Sequence, residues 1–138
     1  MTPANSPRQI GTRWFSDVWN KRNFAAASEL MASDAKGHLE GGLDIFGPEQ
    51  FLAFQKSILA ALPDIQIQVV DTLADGDDVC IRWLATAVHS GDGLGFSATG
   101  KNVSFQGMTW LKVRNGKIIE GWDAWNQGKL FESLRAKA

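Results

Sequence analysis

Cysteine, histidine and tyrosine are nearly missing from this chain, and each shortage removes a class of chemistry. Cys80 is the single cysteine of 138 residues, so no internal disulfide can form and a reducing compartment is the natural expectation. Cys80 stands in the apolar run Val79-Cys80-Ile81, where a buried, inert thiol is expected rather than a nucleophile. The only two histidines, His38 and His89, are far apart in sequence, which argues against a protein-bound zinc. His38-Leu39-Glu40 matches half of a zinc-deaminase signature, but its Pro-Cys-x-x-Cys half is absent. No metal site is expected. Charge of one sign is lacking too: 14 basic residues face 15 acidic ones, spread along the chain, so nucleic acid is not an expected partner. No apolar run approaches the roughly 20 residues of a membrane-spanning helix. Met1 to Pro7 lacks the basic-then-apolar pattern of a signal peptide, so the expectation is a cytoplasmic protein with a disordered tail over residues 1–6.

What is present is a globular composition rich in large rings. Hydrophobic residues make up 44% and charged ones 21%, which predicts one folded domain over 1–138. Six Trp and eight Phe, with no Tyr, call for either a thick core or an aromatic-lined cavity. Ile10, Trp14, Phe15, Val18 and Trp19 recur at helical spacing, predicting an amphipathic helix over 7–21. Asn23 is placed to cap a short helix ending at Met31, and Gly47-Pro48 opens a third that stops before Pro63. Between them, residues 33–40 read as a strand closed by Gly41-Gly42. From Ile65 onward the pattern is antiparallel sheet: strands over 65–69, 79–89, 103–114 and 117–126, then a short closing helix over 128–138. Helices first and a meander afterwards predict an α+β fold, with three N-terminal helices against one face of a curved, mainly antiparallel sheet. Gly95 to Lys101 begins like a phosphate-binding loop, but Asn102 replaces the required Ser or Thr, and strands flank it. Its glycines read instead as a wide loop, or as a lip over a pocket.

One carboxylate stands out. Asp123 lies in Gly121-Trp122-Asp123-Ala124-Trp125, just after the Asn115-Gly116 hairpin turn. An acid held against aromatic walls is poorly solvated and keeps its proton to higher pH, which suits acid–base work near neutrality. A two-residue type I′ turn pairs Arg114 with Lys117 and, counted outward, Met108 with Asp123 and Gln106 with Trp125. On that register Asp123 shares its face with Gln106, Met108, Trp110 and Trp125, the make-up of a small-molecule pocket. A β-bulge between Thr109 and Trp122 would instead move Asp123 to the face of Phe105, Gly107, Thr109 and Leu111. The plain alternative is an ion-paired or solvated acid. Arg82, set among apolar residues, is expected to seek a carboxylate or reach solvent.

The order of motifs carries a resemblance. Phe24 to Met31 precedes a strand bearing His38. Gly47-Pro48-Glu49-Gln50-Phe51 opens a helix ending Leu62-Pro63-Asp64. Ile81-Arg82-Trp83, His89-Ser90-Gly91 and Lys117-Ile118-Ile119-Glu120-Gly121-Trp122-Asp123 follow. Over roughly Ile10 to Leu134 the chain resembles the SnoaL-like polyketide cyclases of the nuclear transport factor two-like superfamily. The resemblance implies a cone-shaped α+β barrel, a deep pocket between helices and sheet, and a homodimer packed through the sheet. It implies intramolecular aldol ring closure on a small hydrophobic carbonyl compound, without metal or cofactor, with Asp123 as the acid–base residue. Gln106, Met108, Trp110, Trp125, His38 and His89 would then contact the substrate. The cyclases offer Gln and His two residues apart on the neighbouring strand; the matching positions here are Gln106 and Met108. A limonene-epoxide-hydrolase-like enzyme, which would draw Arg82 to Asp123, and a non-catalytic ligand-binding module are the alternatives.

Overall fold

A computed structural model describes residues 6–136. Helix α1 (Pro7–Arg13) starts at Ser6, whose Oγ accepts the Gln9 N–H at 3.2 Å with Pro7 in the first turn. Of the expected tail, residues 1–5 lie outside the described residues. The helix continues as a π-helical segment, Trp14–Asn20, where one regular amphipathic helix was expected. That winding brings residues about five apart onto one side. Trp14 and Trp19 consequently both reach Phe51, at ring separations of 4.5 and 5.9 Å.

Next come α2 (Ala25–Leu30), β1 (Met31–Leu39), β2 (Leu43–Phe46) and α3 (Gly47–Ala61). Asn23 does not cap α2; the helix begins after Phe24 without a side-chain cap. The turn before it is held instead by Arg22, whose guanidinium donates to the carbonyls of Trp19, Pro63 and Ile65. Strand β2 was not expected. Gly41-Gly42 is the turn of a β1–β2 hairpin, and only Ile45 of β2 is buried, so its pattern is too thin to read. Gly47 stands at φ +77°, and a Cβ there would lie 2.7 Å from the Ser33 carbonyl oxygen, which only glycine avoids.

Four long strands follow: β3 (Gln66–Asp75), β4 (Asp78–Val88), β5 (Asn102–Arg114) and β6 (Lys117–Trp125), then α4 (Gln127–Arg135). Asn126 caps α4 through its side chain, and the last two residues of the expected closing helix, 137 and 138, lie outside the described residues. The sheet order is β2-β1-β6-β5-β4-β3. All neighbours are antiparallel except β1 and β6, which run parallel. The result is a curved, mixed six-stranded sheet with helices against its inner face, an α+β cone. Val79, Ile81, Trp83 and Ala85 of β4 face inward, as do Val103, Phe105, Thr109 and Leu111 of β5. Cys80 points the other way, half-exposed opposite Trp110, so the buried thiol expected from its apolar neighbours is corrected. No helix among the described residues is long and apolar enough to cross a membrane.

The β5–β6 hairpin carries the main correction. Asn115 and Gly116 both adopt positive φ, +54° and +75°, and Arg114 pairs with Lys117 as the turn demands. Val113 then meets Ile118, but Lys112 meets Glu120, which leaves Ile119 as an extra residue in β6. Beyond this bulge Thr109, not Met108, pairs with Asp123, and Gly107, not Gln106, pairs with Trp125. The cause lies in Glu120. With Ile118 facing the core, unbroken alternation would drive that carboxylate inward opposite Leu111, at the cost of a buried charge. The bulge turns Glu120 outward and brings Gly121, Asp123 and Trp125 onto the inner face.

Candidate active site

Between the helices and the inner face of the sheet lies a cavity of about 90 Å³. That is well above the ~10–15 Å³ one water needs, so the cavity has room for more than a single water. Trp14, Trp19, Phe51 and Phe54 come from the helical side, Phe105 and Trp125 from the sheet, and the wall is mostly apolar. The rings pack closely on the sheet side: Phe105 and Trp125 are 4.9 Å apart, and Trp83 stands edge-on to Phe105 at 6.1 Å. Gly107 makes this possible. A Cβ there would fall 2.5 Å from Trp83 Cζ2 and 2.6 Å from Trp125 Cβ.

Asp123 is set into this wall. Its Oδ1 accepts the Thr109 hydroxyl at 2.7 Å, and Thr109 Oγ1 accepts the Trp83 indole N–H at 2.9 Å. Burial pushes the Asp123 carboxyl up to about 6; the Thr109 hydrogen bond acts against that shift, and the negative charge of Glu40 adds to it. Glu40 is held nearby, its carboxylate accepting the Trp125 backbone N–H at 2.7 Å and the Gly41 N–H at 3.1 Å. The site is thus a carboxyl group that gains and loses its proton near neutrality inside an aromatic cavity, the condition for proton transfer to or from carbon or oxygen.

The expected site residues divide. Asp123 and Trp125 line the cavity together. Gln106, Met108 and Trp110 are exposed on the outer face, and their expected place beside Asp123 is corrected because of the bulge at Ile119. Arg82 is on that outer face as well, 3.7 Å from Asp71. His89 is fully buried but serves the glycine-rich loop: its Nδ1 accepts the Thr99 backbone N–H at 3.1 Å, and Nε2 lies 3.4 Å from the Gly93 carbonyl oxygen. That loop contributes Leu94 to the cavity wall. Trp83, expected from sequence as a core residue or part of a cavity wall, does line the cavity, whereas Thr109 was not singled out for the site. The available signal was that Thr109 is the one hydroxyl in the inward series Phe105, Gly107, Thr109, Leu111, Val113.

His38 also stays outside the cavity. It stacks on Trp122 at 5.5 Å, with Nδ1 2.9 Å from Asp44 and Nε2 2.7 Å from Glu120. Carboxylates only accept, so both contacts are satisfied together only when both ring nitrogens carry protons. The Glu120 bond, then the Asp44 bond, raise the His38 pKa above 6.5. A raised histidine value means that this tie between β1, β2 and β6 is complete below about pH 6.5 and is lost as pH rises through the folded-state value. Solvent keeps the effect small. The gap in melting temperature between wild type and His38→Gln should therefore be wider at pH 6 than at pH 9; an equal gap at both would contradict the tie.

Fold and site together define an α+β cone with one carboxyl group, Asp123, in the wall of a mostly apolar cavity. The SnoaL-like polyketide cyclase model matches residues 10–134, and the chain belongs to that family. A candidate SnoaL-like polyketide cyclase from Jannaschia sp. CCS1 has the same fold, with a TM-score of 0.91 over 100% of this chain and 98% of its own at 19% identity. IdmH from Streptomyces antibioticus, a candidate polyketide cyclase, is 25% identical, with a TM-score of 0.84 over 94% of this chain and 99% of its own. AclR from Streptomyces galilaeus, a candidate hydroxylase, is also 25% identical, with a TM-score of 0.82 over 93% and 94%. No curated protein matches the chain.

Proposed function

We propose that this protein is a cofactor-independent enzyme of the cyclase type, acting on a small hydrophobic carbonyl compound with Asp123 as general acid and base. The observation that carries the reading is the Asp123 carboxyl, with a pKa of about 6, in the wall of an aromatic cavity. As a carboxylate it removes a proton alpha to a carbonyl. The enolate attacks a second carbonyl of the same molecule, a carbon–carbon bond forms, and the protonated acid returns its proton to the new alkoxide. The rings hold the folded substrate so that the two carbons meet, an entropic contribution of up to about 7–11 kcal/mol. The epoxide-hydrolase alternative has less support, since no arginine lines the cavity among the described residues and Arg82 faces Asp71 outside it.

Proton abstraction can be tested without knowing the natural substrate. In heavy water the protein should catalyse deuterium uptake at the carbon alpha to the carbonyl of an aryl ketone such as 1-tetralone. The rate should climb through about pH 6 as Asp123 ionises. Exchange no faster than buffer across a panel of mono- and dicarbonyl compounds would count against the reading.

The same reading includes a homodimer packed through the outer face of the sheet. Trp110 and Trp122 are cross-strand partners there, 49% and 38% exposed, with Met108 beside them at 52%. Exposed rings in one patch favour a protein partner over water. Sedimentation should find a dimer that Trp110→Glu dissociates; a wild-type monomer at high concentration would remove the dimer.

A further inference from the structure

We propose that Trp83 and Thr109 are positioning residues that reserve one oxygen of Asp123, Oδ2, for proton exchange with the substrate. The inference rests on the reading of Asp123 as the proton-transfer group and goes on to say which of its atoms does the work. Trp83 Nε1 lies 2.9 Å from Thr109 Oγ1, and Thr109 Oγ1 lies 2.7 Å from Asp123 Oδ1. An indole nitrogen only donates, and a threonine hydroxyl has a single proton. With Trp83 donating to Thr109 Oγ1, the hydroxyl proton goes to Asp123 Oδ1.

That direction holds in both ionisation states. If Oδ1 carried the acid proton, it would have to donate to Thr109, whose own proton would then need another acceptor. Thr109 has none: it is 3% exposed, and Trp83 and Asp123 are its only side-chain partners among the described residues. The acid proton therefore resides on Oδ2, which has no protein hydrogen-bond partner among the described residues, in a side chain that lines the cavity. Trp83 is itself fixed, buried and edge-on to Phe105. The relay fixes the plane of the carboxyl, so a bound substrate always meets the same oxygen from the same side.

The relay makes the Trp83 indole a reporter of Asp123. In nitrogen-15 NMR the Trp83 Nε1–H signal, assigned by its loss in Trp83→Phe, should move with pH at the same midpoint as the Asp123 carboxyl, about 6. In Thr109→Val the indole signal should stop responding, while the Asp123 midpoint rises by roughly one unit, tenfold in ionisation constant. Thr109→Ser should restore both behaviours, which a purely structural role for the methyl group would not. A wild-type Trp83 signal that stays flat while Asp123 titrates near 6 overturns the relay and leaves the acid–base reading standing. An Asp123 midpoint near 4 in the wild type overturns both. Because the first measurement uses the wild-type protein, it decides the matter even if Thr109→Val does not fold.

Discussion

Asp123→Asn should lower catalysed proton exchange by about 10²–10⁴-fold, the usual contribution of a positioned acid or base, while leaving the fold intact. The amide has the shape of the carboxyl and its oxygen can still accept from Thr109, so the wall of the cavity is preserved. What is lost is the lone pair able to take and return a proton. The same change should make the protein more stable at neutral pH. Asp123 is an acid whose folded-state pKa is raised from 3.8 to about 6, so between those values the folded chain holds a proton that the unfolded chain releases. Its contribution therefore weakens the fold as pH rises through that window, levelling off above it at about 3 kcal/mol. Asp123→Asn should melt higher than wild type at pH 8, with the difference shrinking toward pH 4. Activity lost together with stability gained is the mark of a strained functional group. Full activity in the variant would sink the assignment.

Gly107→Ala should be costly out of proportion to one methyl group. The added carbon would enter a space already filled at 2.5 Å by the Trp83 ring and at 2.6 Å by Trp125 Cβ. Neither neighbour yields easily. Trp83 is tied through its indole to Thr109 and packed against Phe105, and Trp125 Cβ moves only with the backbone of β6. Overpacking of this kind costs typically about 1–3 kcal/mol, a drop of several degrees in melting temperature for a domain of this size. The displacement should also reach the site, because pushing Trp83 away loosens the hydrogen bond that directs the Thr109 proton toward Asp123. A melting temperature equal to wild type would show that the two tryptophans give way more freely than their packing implies.

Much of this architecture was legible in the chain. Strands β4, β5 and β6 and the third helix fall within a residue or two of their expected ends, whereas β3 runs on to Asp75, well past the expected 65–69; the hairpin turn is where Asn115-Gly116 puts it, and Asp123 does line a pocket. The neighbours of Asp123 were not legible, for a reason in β5 itself. Large apolar residues occupy both of its faces, Phe105 and Leu111 inside and Met108 and Trp110 outside, so hydrophobic alternation does not say which side is buried. Turn geometry then decided the register, and one extra residue reverses it. The clue lay in Ile118-Ile119-Glu120, where strict alternation after a buried Ile118 forces a carboxylate into the core. Strand β2 was hidden behind Gly41-Gly42, which serve equally well as an ending or a hairpin turn. The π-helical winding was hidden because Ile10, Trp14, Val18 and Trp19 keep a helical rhythm whichever way the turn closes.

Proton exchange near neutral pH requires that the Asp123 carboxyl, on the inner face of the cone, keep its proton to a higher pH than an ordinary aspartate. A carbon-13 NMR titration of the Asp123 side chain in the intact protein tests it directly, with Asp123→Asn identifying the signal. The expected midpoint is about 6. A midpoint near 4, the value of an ordinary solvated aspartate, would contradict it.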